Sequence, residues 1–378
     1  MNPSETDLAD PNFPEYLAQQ YSEKGAVVIR LPDAVRAAFV PSIRTSNGNR
    51  LVSKMGTAIP DFSVPQRMEL FRIRPMAKFG LPLPGVYRWM AVPSGVPMML
   101  PLSTFFAQVA QAPPVFQIPP IDKELVHLYS SARGFQKYMG DIEAASFFYR
   151  SSATSRALPG YLFGMGSRMK EGFAEWSILH KASAATGVRA AGITTSYVLT
   201  GAPGSISSWH CEDQRLCSFN QVLMDDSGIA QATGKVLPPE FTSGQPDTCK
   251  LWAVASARQT ARIRSLQRDW QSEMDSKVAL DMYGSCGDAL GHKTFAFHPD
   301  ALKPHGVEVT LMEQRLYDIV LTFADASHMV FNTRHNLCES VNWATDAWRP
   351  HGKYTPCNCE HNRLFYDESL PTYSATEH

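Results

Sequence analysis

After Pro159 the chain breaks into short runs rich in Val, Thr and aromatic residues, each closed by a turn or a proline. "GITTSYVLTG", "QRLCSFNQVLM", "KLWAVAS", "VEVTLM", "LYDIVLTFA", "HMVFNTR" and "SVNWAT" all read this way. Such runs are too short for helices and carry the residues that favour strands. Many short strands around polar residues imply a barrel or jelly roll, mostly β with flanking helices. Within this half only "SARQTARIRSLQRDWQSEMDSKV" keeps a helical repeat, with Ile263, Leu266 and Trp270 at three- and four-residue steps. "DDSGIAQATGKVLPPEFTSGQPDTC" reads as one long insertion between strands.

The first half differs. Residues 1–12 are polar and are expected to be disordered. "FPEYLAQQYSEKGAVVIRLPD" reads as a short helix, a turn at Gly25 and a strand stopped by Pro32. From about Leu51 to Pro120 the prolines exclude long helices. "LSTFFAQVAQ" reads as a short helix, and residues 121–150 carry helical apolar spacing.

At 378 residues, with 44% hydrophobic and 19% charged residues, the composition is that of a globular protein. The net charge of −1 gives no global reason to bind nucleic acid. No apolar run reaches membrane-spanning length, and the polar N-terminus lacks a secretory core, so an intracellular, reducing compartment is expected. The seven cysteines, an odd number, argue against a disulfide framework.

The segment "SSWHCEDQRLCSFNQV" puts His210 and Glu212 two apart. On an extended strand both side chains point to one face. A His-x-Glu alone is a weak signal, and a polar strand edge explains it equally well. A third ligand must come from a distant strand. His328, between two strand candidates, supplies it. Two imidazoles and one carboxylate leave coordination positions open, as in non-haem iron oxygenases. Zinc also accepts this set, so the residues alone leave the metal open.

Taken together, "WHCED", "SFN", "LWAV", "LYDIVLTFADASHMVFN" and "CESVNWAT" resemble the JmjC domain of 2-oxoglutarate-dependent histone lysine demethylases. "FPEYLAQQYSEKGAVVIRLPD" resembles their JmjN segment. The resemblance implies a cupin-like double-stranded β-helix. It divides the chain into a disordered 1–12, a JmjN-like 13–55, a Pro/Met-rich linker and helical support over 56–154, the barrel over 155–345, and a zinc-stapled segment and tail over 346–378.

The resemblance also implies roles. His210, Glu212 and His328 are the iron ligands. Tyr161 and Lys250 meet the distal carboxylate of 2-oxoglutarate, and Asn220 lies near its other end. Tyr197, Gly201, Ser340 and Asn342 line the methyl-lysine pocket. Without the family frame, Tyr161 reads as packing and Lys250 as a surface residue. Cys286, His292, Cys357 and Cys359 read as a structural zinc site, with His361 competing for His292's place; the family pattern strengthens that reading. Cys211, Cys217 and Cys338 read as packing.

The implied activity is N-methyl oxidation on a histone tail, with release of formaldehyde and succinate. The resemblance implies the nucleus and recruitment to chromatin through partner proteins, without sequence-specific nucleic-acid binding. Three positions depart from the pattern: Leu199 and Cys217 stand where tyrosines are expected, and Ser207 where an aromatic is. They leave open a hydroxylase acting on another protein or a small molecule. A catalytically silent chromatin scaffold is the third reading. "ARQTAR" (Ala257–Arg262) looks like part of a histone tail, but it sits in the helical repeat, has no lysine, and reads as coincidence.

Overall fold

The structure, a computed structural model, describes residues 1–10, 12–39, 65–78, 81–91, 98–101, 147–153, 177–187, 193, 197–201, 206–233, 248–272, 290–291, 295–349 and 351. Over 65–78, 98–101 and 147–153, and over 81–91 apart from Val86 and Tyr87, only the backbone is described.

The second half alternates between two sheets. Strands β6 (Tyr197–Gly201), β8 (Cys217–Met224), β12 (Ile319–Thr322) and β14 (Asn336–Trp343) form one sheet in the order β12-β8-β14-β6. Strands β7 (Ile206–His210), β9 (Thr248–Ala255), β11 (Thr310–Arg315) and β13 (Ser327–Asn332) form the other, in the order β7-β13-β9-β11. The pairings within each are antiparallel. A chain that crosses repeatedly between two sheets in this way is a double-stranded β-helix, the form of jelly roll that the family resemblance implied.

Side-chain alternation divides the apolar residues into layers. Ala26, Trp252, Val254, Val320 and Val330 pack together in one cluster drawn from both sheets. On the outer face of the second sheet, Ala253, Ala255, Met329 and Phe331 meet Ile263, Leu266 and Trp270 of a helix at Ala257–Ser272. That helix realises the one long apolar repeat seen in this half of the sequence. On the outer face of the first sheet, Phe219, Ile319, Leu321, Val341 and Trp343 pack against Leu8, Phe13 and Leu17 from the N-terminus.

The N-terminus corrects the expectation of disorder over 1–12. Glu5–Ala9 forms α1. Ser4 caps it: its hydroxyl accepts from the Asp7 amide at 3.1 Å, and Asp7 accepts from the Ser4 amide at 2.7 Å. This reciprocal box satisfies two backbone donors, and buried Leu8 docks the turn on the sheet. Polarity misled because the helix needs one apolar anchor. Helix α2 (Phe13–Tyr21), the turn at Gly25 and strand β1 (Ala26–Ile29) follow as read. Strand β1 extends the first sheet beside β12, with Ala26 opposite Thr322.

Residues 65–101 and 147–153 also differ from the linker and helical reading. They hold β2 (Pro65–Lys78), β3 (Leu81–Ala91), β4 (Met98–Pro101) and β5 (Phe147–Ala153). Strand β5 pairs β6, β2 pairs β5, β3 and β4, and β3 reaches β10 (Phe295–Phe297), which pairs β7. These strands join the two sheets at one side. The prolines that exclude helices tolerate strands at edges and irregular registers, and β2 shifts register between Pro75 and Ala77. The expected helix at "LSTFFAQVAQ" and residues 121–146 lie outside the described residues.

Helix α3 (Asp33–Phe39) follows β1, α4 (Ile178–Thr186) precedes β6, and α5 (Asp226–Thr233) opens the segment read as an insertion. The long helix at Ala257–Ser272 is α6, and α7 (Pro299–Leu302) follows β10. No helix among the described residues is long and apolar enough to cross a membrane.

Candidate metal centre

His210 ends β7 and His328 lies near the start of β13, where the two residues are register partners. The ladder is irregular just beyond, between His328 and Val330. Glu212 sits two residues past His210 and keeps an extended backbone, with φ −64° and ψ 154°. Its carboxylate therefore stays on the side of the imidazoles, as the alternation of a strand requires. Its Oε1 lies 3.4 Å from His328 Nε2, and one ligand atom from each of the three residues falls within 4.8 Å of the others.

The imidazoles are preset. His210 Nδ1 lies 2.6 Å from the carbonyl of Ser208, and His328 Nδ1 lies 3.4 Å from that of Ala326. A ring held at Nδ1 by a carbonyl presents its Nε2 lone pair, which is how a ligating histidine is oriented. Both histidines are buried, and Glu212 is partly exposed. Two donors each about 2.1 Å from one ion stand at most about 4.2 Å apart, so small side-chain rotations close this group on a metal. The donor set, two imidazoles and a carboxylate on one side, suits ferrous iron. Trp252 stacks obliquely near His328, 5.5 Å between ring centres, with its Nε1 bonded to Gln314 at 2.9 Å.

The turn that carries Glu212 is strained and braced. Gln214 and Arg215 have φ of 55° and 53°, a region that costs residues with a Cβ. Asp325 holds the turn in place. Its amide donates to the Arg215 carbonyl at 3.1 Å, and Arg215 Nη1 lies 3.7 Å from its carboxylate. Arg264 of α6 donates to the same carboxylate at 2.7 Å and reaches the Cys211 sulfur at 3.5 Å. One carboxylate thus ties the Glu212 turn and α6 to the loop before His328. Local sequence gave no sign of this bracing.

The sequence-predicted residues divide as follows. Lys250 on β9 is buried, and its Nζ donates to Cys338 Sγ at 2.9 Å. It pairs in register with Asn332, four positions along β13 from His328, about 13 Å of strand at ~3.3 Å per residue. Asn220 on β8 is buried, and its Nδ2 donates to the same sulfur at 3.4 Å. Cys338, expected as packing, is thus also the meeting point of two predicted cofactor residues.

Ser340 and Asn342 share a face of β14 with Cys338. Their side chains donate to the carbonyls of Phe219 and Cys217, at 3.0 and 3.2 Å. The Tyr197 backbone pairs with Ser340, but its side chain lies outside the described residues. Gly201 is required sterically, because a Cβ there would collide with the Asn332 amide that accepts from Asn336 at 3.0 Å. Leu199 pairs with Cys338 and packs beside Val222 and Cys249. Tyr161, Cys286, His292, Cys357 and Cys359 lie outside the described residues, as does His361.

Cys211 and Cys217 stand outside the ligand set, and burial pushes the Cys217 thiol well up. A second charged site was not anticipated. Arg334 donates to Asp226 at 2.6 Å, and the His335 amide donates to the other carboxylate oxygen at 3.0 Å. Burial lifts the Asp226 carboxyl to about 6 despite Arg334, and it pulls the His335 imidazole down to about 3.

Residues 247–343 match the family described as JmjC domain, hydroxylase. The chain is 25% identical over 208 residues to probable lysine-specific demethylase 4F of Homo sapiens, covering 53% of this chain and 28% of that protein. It is 24% identical over 181 residues to lysine-specific demethylase 4D of Rattus norvegicus, covering 48% and 30%. It is 25% identical over 205 residues to lysine-specific demethylase 4B of Mus musculus, covering 51% and 16%. The matches thus span less than a third of each relative's length. The region of these matches coincides with the two-sheet crossing topology and the His-Glu-His group, and it is similar to a JmjC domain.

Proposed function

We propose that the protein is an Fe(II)- and 2-oxoglutarate-dependent dioxygenase that removes methyl groups from histone lysines. The observation that carries this reading is the convergence of His210, Glu212 and His328, with a buried lysine further along the same ladder. Iron with 2-oxoglutarate, when bound, supplies oxidation driven by dioxygen. The chain's part is to hold three ligands on one side and leave the other side open. Lys250 offers a buried cation to the dianionic co-substrate, and Asn220 an amide. The apolar cluster around Trp252 and Val330 keeps water from the centre.

The relatives' names support lysine demethylation as the reaction. Histone tails, the nucleus and chromatin partners belong to the same proposal. So do Ser340 and Asn342 as substrate contacts, a JmjN-like role for the segment from residue 13, and a zinc site at Cys286, His292, Cys357 and Cys359. The test is a panel of methylated histone peptides assayed by mass spectrometry, with iron and 2-oxoglutarate supplied and His210→Ala as control. Stepwise loss of methylene masses with formaldehyde release supports the reading. Succinate formation without demethylation of any peptide overturns it.

One observation favours a second reading, a hydroxylase on the same scaffold. Leu199 and Cys338 are register partners and share an apolar cluster where the demethylase pattern has a tyrosine. A hydroxylase yields succinate and an alcohol product with no formaldehyde.

A further inference from the structure

We propose that Cys338 is a positioning residue whose sulfur fixes Lys250 and Asn220 relative to one another in the 2-oxoglutarate pocket. The inference rests on the reading above, in which Lys250 and Asn220 belong to that pocket.

The buried cations of this fold are satisfied unequally. Arg264 has the carboxylate of Asp325 at 2.7 Å, and Arg334 has that of Asp226 at 2.6 Å. Lys250 is 5% exposed, and the hydrogen-bond partner of its ammonium among the described residues is the Cys338 sulfur, at 2.9 Å. An ammonium has three donors and no acceptor, and thiol sulfur is a weak acceptor. A buried ammonium held only by sulfur remains under-satisfied and favours an incoming anion.

The same sulfur takes the Asn220 amide at 3.4 Å, which leaves Asn220 Oδ1, also buried, without a partner among the described residues. Two donors from two strands of opposite sheets therefore converge on one atom of a third strand. That atom is itself immobilised. Cys338 is fully buried and packed against Val222, Cys249 and Leu199. The arrangement sets the spacing of Lys250 and Asn220 before any ligand arrives, and such preorganisation lowers the cost of binding. An apolar side chain of similar size at this position would keep the packing and lose the acceptor.

The test is calorimetric binding of 2-oxoglutarate to the full chain loaded with Mn(II), for wild type, Cys338→Val and Cys338→Ser. Valine keeps the volume and removes the acceptor; serine restores one. Cys338→Val is expected to weaken 2-oxoglutarate about tenfold, the loss of one charge-assisted hydrogen bond. Cys338→Ser is expected to recover most of that loss, and Mn(II) affinity and the melting temperature are to stay near wild type in both. Equal 2-oxoglutarate affinity in wild type and Cys338→Val overturns the inference while the pocket reading stands. Equal weakening in both variants with a lowered melting temperature reduces Cys338 to packing, which also overturns it. A wild type that binds Mn(II) but not 2-oxoglutarate overturns the pocket reading and the inference with it.

Discussion

His210 and His328 are register partners of β7 and β13, and their ring centres stand 4.3 Å apart. Residues separated by 118 positions in the chain are neighbours because β13 inserts between β7 and β9. Glu212, two residues beyond the end of β7, joins them from an extended backbone.

Removing one ligand should therefore abolish tight metal binding without unfolding the barrel. His328→Ala is expected to weaken Mn(II) by about a hundredfold or more. Electron paramagnetic titration measures this, and far-ultraviolet circular dichroism checks the fold. Unchanged Mn(II) affinity would remove the metal from this site.

The turn bearing Glu212 depends on Asp325. Asp325→Ala leaves Arg264 buried with its carboxylate partner gone, so a loss of about 3 kcal/mol is expected. Denaturant unfolding reads that loss. Weaker Mn(II) binding should accompany it, since Arg215 and the strained backbone at Gln214 are released together. A stability loss with unaltered Mn(II) affinity would confine Asp325 to folding.

Gly25 has φ +82°, and a Cβ there would come within 2.9 Å of Val254 Cγ1 and 3.0 Å of the Ser256 amide. Gly25→Ala should cost about 2 kcal/mol, from backbone strain and the steric clash where β1 meets the sheet. A melting temperature within a degree or so (~1 °C) of wild type would contradict the tight approach.

Asp226 and His335 are adjacent in space and respond oppositely to pH. The Asp226 carboxyl is raised to about 6, so the folded state holds a proton that the unfolded chain has released. Its contribution is present at low pH and fades as pH rises from about 4 through about 6. The His335 imidazole is lowered to about 3, so its contribution is full above about 6.5 and fades as pH falls toward 3. Between pH 4 and 8, Asp226→Asn should remove the first slope, about 2 kcal/mol, and His335→Gln the second, about 3 kcal/mol. Stability measured from pH 4 to 8 distinguishes them. Variants with the wild-type profile would refute the assignment.

The sequence by itself determined most of the local elements and pointed to the three residues of the candidate metal centre. Short β-branched runs gave β6, β8, β9 and β11 to β14, because alternation and turns are encoded residue by residue. The three- and four-residue spacing of Ile263, Leu266 and Trp270 gave α6 for the same reason. His-x-Glu gave two ligands on one face, since period two is a property of any strand. Residues 1–12 and the strands of the Pro/Met-rich half were misread. Their order comes from docking: Leu8 under Phe219 and Val341, and β5 beside β6.

Only the tertiary structure decided which buried charges meet. Arg264 finds Asp325 across 61 positions, Lys250 finds Cys338 across 88, and Arg334 finds Asp226 across 108. A lysine or cysteine carries no local mark of its partner. The partner is chosen by strand register and by the high cost of leaving a desolvated charge unmatched.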